Sequence, residues 1–258
     1  MNSVEHRLAV VIGGGNGIGA ACCRLMAARD WKVAVLDFDQ AGAQKIAAEI
    51  GGKAFACDVR DLAGLEKLAT EIETAMGPVT SLVVSSGAFQ ERMDPADVPP
   101  EMFRHIFEVN VEGTFYANRV FGTLMARRGK GSIVNIASSA AHGSQPLFIY
   151  GPSKSAVYSL SRCLAGQWGR SGVRVNSVSP GPTIVPRQAA RKPGRYAANM
   201  EDHLAIGRRL QPPEVAEGVE FLASDKASGI TGIDLLIDAG QIAASTWGLF
   251  GGVPPRQE

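Results

Sequence analysis

The chain has 258 residues, of which 26 are Lys or Arg, 25 are Asp or Glu, and 45% are hydrophobic. That balance excludes an intrinsically disordered chain. A net charge of +1 also argues against a general nucleic-acid-binding or anionic-membrane-binding protein, because either needs an excess of Lys and Arg on one face. The length suits one large hydrophobic core, so residues 1–258 are predicted to form a single domain, with a small molecule as the favoured partner.

The cysteines indicate neither a disulfide framework nor a zinc site. The chain has four cysteines, Cys22, Cys23, Cys57 and Cys163, which are too few for a disulfide framework. No two of them have the C-x-x-C spacing of a zinc site, so no metal is predicted. They are expected to be small buried residues in a reducing compartment. No apolar run approaches the roughly 18 residues of a membrane span. The sequence therefore predicts a cytoplasmic protein with neither a nucleic-acid nor a membrane partner.

Short apolar runs alternate with helical stretches along the chain. Strands are predicted at 8–12, 33–36, 54–56, 81–85, 132–136, 173–178 and 233–237, and helices at 20–28, 41–50, 61–76, 101–127, 153–169 and 213–223. Continuous apolar strands indicate a sheet covered on both faces, and their alternation with helices indicates right-handed parallel crossovers. The predicted fold class is α/β, with a doubly wound, seven-stranded parallel sheet and helices on both faces.

Two segments interrupt this alternation. Residues 182–208 carry prolines and several charges without strand periodicity, and they are predicted to form a substrate loop or lid. Residues 245–258 form a C-terminal tail rich in Gly and Pro. The apolar stretch from Trp247 to Phe250 in this tail either closes a neighbour's site in an oligomer or covers exposed core, and the sequence leaves both alternatives open.

A cluster of glycines follows the first predicted strand, at the carboxyl end where doubly wound sheets bind ligands. Glycines there let backbone amides approach a pyrophosphate at a helix N-terminus. Two spacings fit the cluster: Gly15-x-Gly17-x-x-Ala20, the general dinucleotide fingerprint, and the wider Gly13-x-x-x-Gly17-Ile18-Gly19, which the remaining motifs favour. The alternative is a glycine-rich turn without a ligand, which the flanking strand and helix make the weaker interpretation.

An acidic residue, Asp37, ends the second predicted strand, 18 residues beyond Gly19. A carboxylate there accepts hydrogen bonds from an adenosine ribose and repels a 2′-phosphate, so NAD is favoured over NADP as the cofactor. Asn16 and Phe38 agree, because an NADP site usually places Arg or Lys near the ribose. Asp58, after the third strand, is a candidate acceptor for the adenine amino group. The alternative for Asp37 is an ordinary turn residue at a strand end.

Tyr150 and Lys154 stand four residues apart and therefore on one face of a helix. A nearby cation favours the phenolate of a tyrosine and makes it a usable general acid/base, although the pair alone would be interpreted as a surface contact. Upstream, Ser138 and Ser139 follow a predicted strand and are candidates for binding a substrate oxygen. An extended strand turns only one of them into the site, and Ser138 is favoured. Asn110, a mediocre helix former within a helical pattern, is a candidate proton relay.

These motifs together closely resemble the short-chain dehydrogenase/reductase family over about residues 5–243. The matching motifs, in chain order, are Gly13-x-x-x-Gly17-Ile18-Gly19, Asp37, Asp58-Val59, Asn110, Ser138, Tyr150-x-x-x-Lys154 and Asn176-Ser-Val-Ser-Pro180-Gly181. The resemblance implies a Rossmann-type fold, a homotetramer and a catalytic tetrad. In that tetrad, Ser138 orients the substrate oxygen and Tyr150 exchanges its proton. Lys154 holds the nicotinamide ribose and favours the phenolate, and Asn110 anchors a relay water.

The cofactor-binding residues expected from the motifs and the resemblance are Gly13, Gly15, Asn16, Gly17, Ile18, Gly19, Asp37, Phe38, Asp58, Val59, Ser85, Gly87, Tyr150, Lys154, Pro180, Gly181, Thr183 and Val185. The chain departs from the family in several places, of which two bear on these residues. Val84-Ser85-Ser86-Gly87 replaces the usual Asn-Asn-Ala-Gly, and Ser85 is the candidate to compensate. The family's threonine after Pro180-Gly181 falls at Val185, with Thr183 two residues earlier, so both are candidates for the nicotinamide contact.

The residues expected to bind the substrate are Ser138, Ser139, His142, Gln145, Phe148, Arg187 and Arg191. Most are polar, which favours a polar small molecule. His142 is either a ligand of a substrate hydroxyl or an ordinary loop histidine. The cations between Arg187 and Arg195 either bind a substrate anion or belong to a solvated loop, and the second interpretation is favoured.

The sequence thus predicts an NAD-dependent oxidoreductase that interconverts a secondary alcohol and a ketone, with a polyol, sugar or hydroxy acid as its substrate. A 3-oxoacyl-thioester reductase is the alternative within enzymes, supported by the cations of the 182–208 loop and opposed by Asp37. A non-catalytic NAD-binding regulator is the alternative from another class, and the complete tetrad opposes it.

Overall fold

A computed structural model of the chain describes residues 7–91, 93–185 and 200–254. Its strands are β1 (Leu8–Ile12), β2 (Lys32–Asp37), β3 (Lys53–Ala56), β4 (Ser81–Val84), β5 (Gly131–Ile136), β6 (Val173–Pro180) and β7 (Asp234–Ile237). Its α-helices are α1 (Gly17–Ala28), α2 (Gln40–Ile50), α3 (Leu62–Met76), α4 (Pro100–Phe107), α5 (Gly113–Arg128), α6 (Tyr150–Trp168) and α7 (Pro212–Ala223). The predicted strands and helices are confirmed, except that 101–127 contains two α-helices.

All seven strands lie parallel in one sheet, in the order β3-β2-β1-β4-β5-β6-β7. The winding direction reverses between β1 and β4, where Ile12 of β1 is in register with Leu36 on one side and Val84 on the other. This order confirms the predicted doubly wound fold. A ligand is expected in the crevice outside the carboxyl ends of β1 and β4.

Helices cover both faces of the sheet. The core between the sheet and helices α1, α2 and α7 includes Val11 and Val35, and the core against α3 and α5 includes Val10 and Leu82. Neighbouring residues of β1 thus enter opposite cores, and burying each such side chain contributes about 1.5–3 kcal/mol. This two-sided burial is the reason that the strands are continuously apolar.

One π-helical turn, Glu108–Glu112, separates α4 from α5. Such turns add a residue to a helix and frequently occur at functional sites. Asn110 is the middle residue of this turn and is fully buried. A side chain at Gly113, where α5 begins, would lie 2.6 Å from Cγ2 of Val59, so the turn packs closely against the segment after β3. The sequence pattern showed a helix here but not its interruption.

The predicted 182–208 loop has its two ends joined by backbone pairing. The Ile184 amide donates to the Leu210 carbonyl, and the Leu210 amide donates to the Pro182 carbonyl, each at 2.9 Å. Residues 186–199, which include the predicted substrate residues Arg187 and Arg191, lie outside the described residues. In the tail, Trp247–Phe250 forms a 3₁₀ turn, with Leu249 and Phe250 largely exposed.

Three of the cysteines are buried, and Cys163 is exposed on α6, contrary to the expectation that all four are core residues. Burial raises the pKa of the Cys22 and Cys57 thiols to about 12, so both stay protonated at neutral pH. Within the described ranges, no helix is both long and apolar enough to cross a membrane. Nor do three or more His, Cys, Asp or Glu side chains of these residues gather into a group that could hold a metal.

Candidate active site

A cleft of about 750 Å³ opens at the carboxyl ends of the strands, across the point where the winding reverses. The expected cofactor residues that line it are Gly13, Asn16, Gly17, Ile18, Asp37, Phe38, Asp58, Val59, Ser85, Gly87, Tyr150, Lys154, Pro180, Gly181, Thr183 and Val185. The expected substrate residues that line it are Ser138, Ser139 and Gln145. The cleft therefore gathers residues from most of the chain.

The glycine loop between β1 and α1 forms one wall of the cleft. Gly13 and Gly17 have φ values of +78° and +53°, which favour glycine. A side chain at Gly13 would lie 2.6 Å from the Ser86 amide nitrogen, and one at Gly17 would lie 3.4 Å from Cγ1 of Val185. The missing side chains let the loop pack closely against the segment after β4 and against Val185. Its geometry and its position at the start of α1 fit the pyrophosphate of a dinucleotide.

Two expected cofactor residues, Gly15 and Gly19, support this loop from outside the cleft. The Gly15 amide donates to Oδ2 of Asp37 at 2.8 Å. A side chain at Gly19 would lie 2.0 Å from the Gly13 carbonyl oxygen, so the start of α1 packs directly against the loop. This arrangement favours the wider glycine spacing, in which Gly13 and Gly17 face the cleft.

The nucleotide end of the cleft carries charged side chains close to the surface. The Asp37 carboxylate accepts hydrogen bonds from the Asp39 amide at 2.9 Å and from the Gly15 amide. Its two oxygens can accept further hydrogen bonds, for example from ribose hydroxyls. Asp58 accepts hydrogen bonds from the Arg60 guanidinium, which holds the pKa of this carboxyl below its usual range. Arg60 also lines the cleft. Sequence analysis missed it, although its position two residues after Asp58 was a usable signal.

The catalytic end is buried. Tyr150 is the first residue of α6, and Lys154 follows one turn later on the same side of the helix. The Lys154 ammonium donates to the Ile136 carbonyl at 2.8 Å and lies 5.9 Å from the centroid of the Tyr150 ring. Ser138 follows β5 and accepts a hydrogen bond from the Ala140 amide at 3.2 Å. The structure thus brings the predicted tyrosine, lysine and serine to one end of the cleft.

Asn110 lies behind the catalytic end and does not line the cleft. Its Nδ2 donates to the Ala88 carbonyl at 3.0 Å and to Oγ of Ser153 at 2.9 Å, and its Oδ1 accepts from the Ala88 amide at 2.8 Å. The carboxamide therefore ties the loop after β4 to helix α6. The relay water that the resemblance implies remains a prediction, since both amide hydrogens are already bound within the protein.

The two serines after β5 differ in their hydrogen bonds. Ser139 donates to Oε1 of Gln241 at 2.8 Å, whereas the Ser138 hydroxyl hydrogen has no acceptor among the described residues. The Ser138 hydroxyl thus has a hydrogen available for a substrate oxygen, and the choice of Ser138 over Ser139 stays a prediction. Gln241, from the segment after β7, also lines the cleft. No sequence motif identified Gln241, because only folding brings it beside Ser139.

Two expected substrate residues do not line the cleft. His142 faces the far edge of the sheet, with Nε2 2.8 Å from Oδ2 of Asp234 and 3.2 Å from Oγ of Ser179. Its imidazole is therefore held by β6 and β7, which favours the interpretation as an ordinary loop histidine. Leu147 lines the cleft where Phe148 was expected.

This fold and this cleft together fit a dinucleotide-binding protein of the doubly wound class. A family profile described as enoyl-(acyl carrier protein) reductase matches residues 13–241. The chain is 35% identical to the D-threitol dehydrogenase of Mycolicibacterium smegmatis over 92% of this chain and 93% of that protein. It is 36% identical to the galactitol 2-dehydrogenase (L-tagatose-forming) of Cereibacter sphaeroides over 92% and 95% of the two chains.

A similar solved structure is a crystal structure described as ribose-5-phosphate isomerase from Brucella melitensis 16M. Its TM-score is 0.92 and its sequence identity 38%, with 98% of this chain and 99% of that chain covered. The chain belongs to the short-chain dehydrogenase/reductase family. It is an oxidoreductase that acts on CH–OH groups with a nicotinamide cofactor.

Proposed function

We propose that this protein is an NAD-dependent dehydrogenase that oxidises one secondary hydroxyl of a small neutral polyol to a ketone, in a reversible reaction. The observation that carries the proposal is the chemistry of the substrate end of the cleft. There Ser138, Ser139, Gln145 and Gln241 line the same cleft as Tyr150 and contribute hydroxyl and carboxamide groups to it. Such groups pair with several hydroxyls of one substrate at once.

The similarity to dehydrogenases of threitol and galactitol points to the same substrate class.

Asp37 supports NAD rather than NADP as the cofactor. Its carboxylate lies at the end of β2 and lines the nucleotide end of the cleft. It can accept hydrogen bonds from the ribose hydroxyls of NAD, and its negative charge opposes the 2′-phosphate of NADP. Gly13, Gly17 and the start of α1 would hold the pyrophosphate.

The side chains of the catalytic end suit an exchange of one proton with the substrate. A bound NAD⁺ supplies the acceptor for the hydride that the alcohol carbon loses. Ser138 donates its available hydrogen to the substrate oxygen and holds it near Tyr150. Tyr150, as the phenolate, takes the hydroxyl proton, and the Lys154 ammonium stabilises that phenolate. In the reverse direction, the phenol returns the proton to the ketone oxygen.

The experiment is to follow nicotinamide absorbance with NAD⁺ or NADP⁺ and a panel of polyols: glycerol, D-threitol, xylitol and galactitol. The panel also contains hydroxy acids, a 3-hydroxyacyl thioester and ribose 5-phosphate. NADH formation with a polyol, absent from the Tyr150→Phe variant, is the expected result. Turnover of the thioester alone, or isomerisation of the sugar phosphate without reduction of the cofactor, would contradict the proposal.

We further propose a single-domain cytoplasmic homotetramer. Its assembly is supported by apolar side chains on α4 and α5, where Phe103 stacks on Phe107 and both Phe103 and Phe115 are partly exposed. The location is supported by the free thiols, which persist in a reducing compartment. A mass from light scattering tests the assembly. The lid role of residues 182–208 stays a prediction.

A further inference from the structure

Gln90 lies outside the cleft and outside the motifs described above, yet its side chain reaches the first residue of α6. It is fully buried. Its Oε1 accepts hydrogen bonds from the amide nitrogens of Ile149 at 2.8 Å and of Tyr150 at 3.2 Å. Amide groups at the start of a helix have no partner within the helix, and a side-chain oxygen that accepts from them fixes where the helix begins. Gln90 therefore caps α6 at the residue that carries the phenol.

Other groups hold the same tyrosine. The ring of Phe89, next to Gln90 in the chain, packs against the Tyr150 ring with centroids 4.6 Å apart. The Ser153 hydroxyl donates to the Tyr150 carbonyl at 2.7 Å and itself accepts from Asn110. The ring, amide and carbonyl of Tyr150 are thus held by three different side chains. Two of these side chains come from the loop after β4, which Asn110 anchors.

Gln90 differs from the side chains that usually cap a helix and only stabilise it. Short exposed side chains normally cap helices, and here a long carboxamide does so from inside the protein. Its Nε2 is buried without a hydrogen-bond partner among the described residues. Unpaired buried donors lower the stability of a fold, so such a group in a native structure is expected to have another role.

We propose that Gln90 is a positioning residue for Tyr150. By accepting from the amides at the start of α6, it fixes the phenol relative to Lys154 and to the substrate oxygen. The proposal rests on the role proposed above for Tyr150 as the group that exchanges the substrate proton. Misplacing a reacting group by about 1 Å can cost on the order of 10²-fold in rate, so the effect on turnover is measurable.

The test compares three variants. Gln90→Met keeps the length of the side chain but removes the strong acceptor, and Gln90→Glu keeps an acceptor oxygen. Gln211→Met is the matched control, because Gln211 is exposed directly before α7 and does not line the cleft. The measurements are kcat and KM with NAD⁺ and the fastest polyol of the panel, the Kd of NADH by fluorescence, and the thermal midpoint.

Gln90→Met is expected to lower kcat by about tenfold or more with little change in the Kd of NADH. Gln90→Glu is expected to restore most of that loss. Gln211→Met also removes a side chain at the start of a helix, so it is expected to lower the thermal midpoint but to keep the wild-type kcat. If Gln90→Met is insoluble, Gln90→Asn provides the same comparison, because its amide is one methylene too short to reach both backbone N–H groups.

A second readout follows the phenol itself. Tyrosinate absorbance is titrated in each protein, and the titration of the same protein with Tyr150→Phe is subtracted. Loss of the cap is expected to move the Tyr150 ionisation to higher pH, because the phenol is no longer held beside the Lys154 ammonium. A lower thermal midpoint with unchanged kcat and unchanged ionisation would leave Gln90 a purely structural role and overturn the proposal. Full activity of Tyr150→Phe would instead overturn the proposed role of Tyr150.

Discussion

The two ends of the cleft are built in different ways. At the catalytic end, Asn110, Ser153 and Lys154 are buried, and each is bonded to another part of the chain. At the nucleotide end, Phe38 is 77% exposed and the Asp58–Arg60 pair lies near the surface. Buried polar networks hold side chains in fixed positions, whereas exposed charges interact with a ligand through electrostatic forces that solvent weakens. Substitutions at the catalytic end should therefore change turnover, and those at the nucleotide end should change cofactor affinity or choice.

The largest effect is expected from Tyr150→Phe at the catalytic end. Only the phenol oxygen is removed, so kcat should fall by about 10³-fold because no proton is exchanged, while NADH still binds. Steady-state assays and a fluorescence titration with NADH measure the two effects. Tyr158→Phe is the matched control, since Tyr158 lies on the same helix but not in the cleft. Full activity of Tyr150→Phe would refute the proposed chemistry.

A smaller effect, on cofactor choice, is expected from Asp37→Ala at the nucleotide end. Removal of the charge that opposes a 2′-phosphate should raise the ratio of kcat/KM for NADP to that for NAD by about 10²-fold, or nearly 3 kcal/mol. Asp39→Ala is the control: Asp39 caps α2 through the Gly42 amide and does not line the cleft, so only stability should fall, by about 1 kcal/mol. An unchanged cofactor ratio in Asp37→Ala would show that Asp37 does not set the preference.

At the substrate side of the catalytic end, Gln241→Leu is expected to raise the KM for a polyol by about tenfold, the value of one neutral hydrogen bond, and to change kcat less. The leucine can no longer accept from Ser139 or donate to a substrate hydroxyl. Kinetics with saturating NAD⁺ measure the effect, with Gln167→Leu on the exposed side of α6 as the control. A reduced kcat with unchanged KM would place Gln241 in the buried catalytic network instead.

The smallest effect is expected from Arg60→Ala. The exposed ion pair with Asp58 is worth about 0–1 kcal/mol, so the KM for NAD⁺ should change by no more than about fivefold and kcat should not change. Initial rates at varied NAD⁺ concentration check this. A rise of several hundredfold in the KM for NAD⁺ would mean that the nucleotide end depends on fixed contacts as strongly as the catalytic end does.

The parts of this site that the sequence predicted are those fixed by neighbours in the chain. The glycine loop follows from backbone conformations at Gly13 and Gly17, and Asp37 is marked by its place at a strand end. Helical spacing puts Tyr150 and Lys154 on one face of a helix, and the family motifs, not that spacing alone, marked them as catalytic candidates. Local rules and the family motifs together therefore located one wall of the cleft and the Tyr150–Lys154 pair.

The parts that the sequence missed depend on contacts between distant segments. Gln241 reaches Ser139 from 102 positions along the chain, and Gln90 reaches Tyr150 from 60. The sequence left His142 open between a substrate ligand and an ordinary loop histidine, because its partners Asp234 and Ser179 come from the edge of the sheet and not from its neighbours in the chain. Hydrophobic periodicity carries no information about such polar pairs.

The π-helical turn at Glu108–Glu112 makes the number of residues in this region as important as their identity. An α-helix advances about 100° per residue, so a one-residue deletion here would rotate α4 by that angle relative to α5. Asn110 would then turn away from the loop after β4, and the stacked Phe103 and Phe107 would leave their present face. A deletion or insertion at this turn therefore changes the orientation of every α4 side chain relative to α5, whereas a single substitution leaves these orientations unchanged.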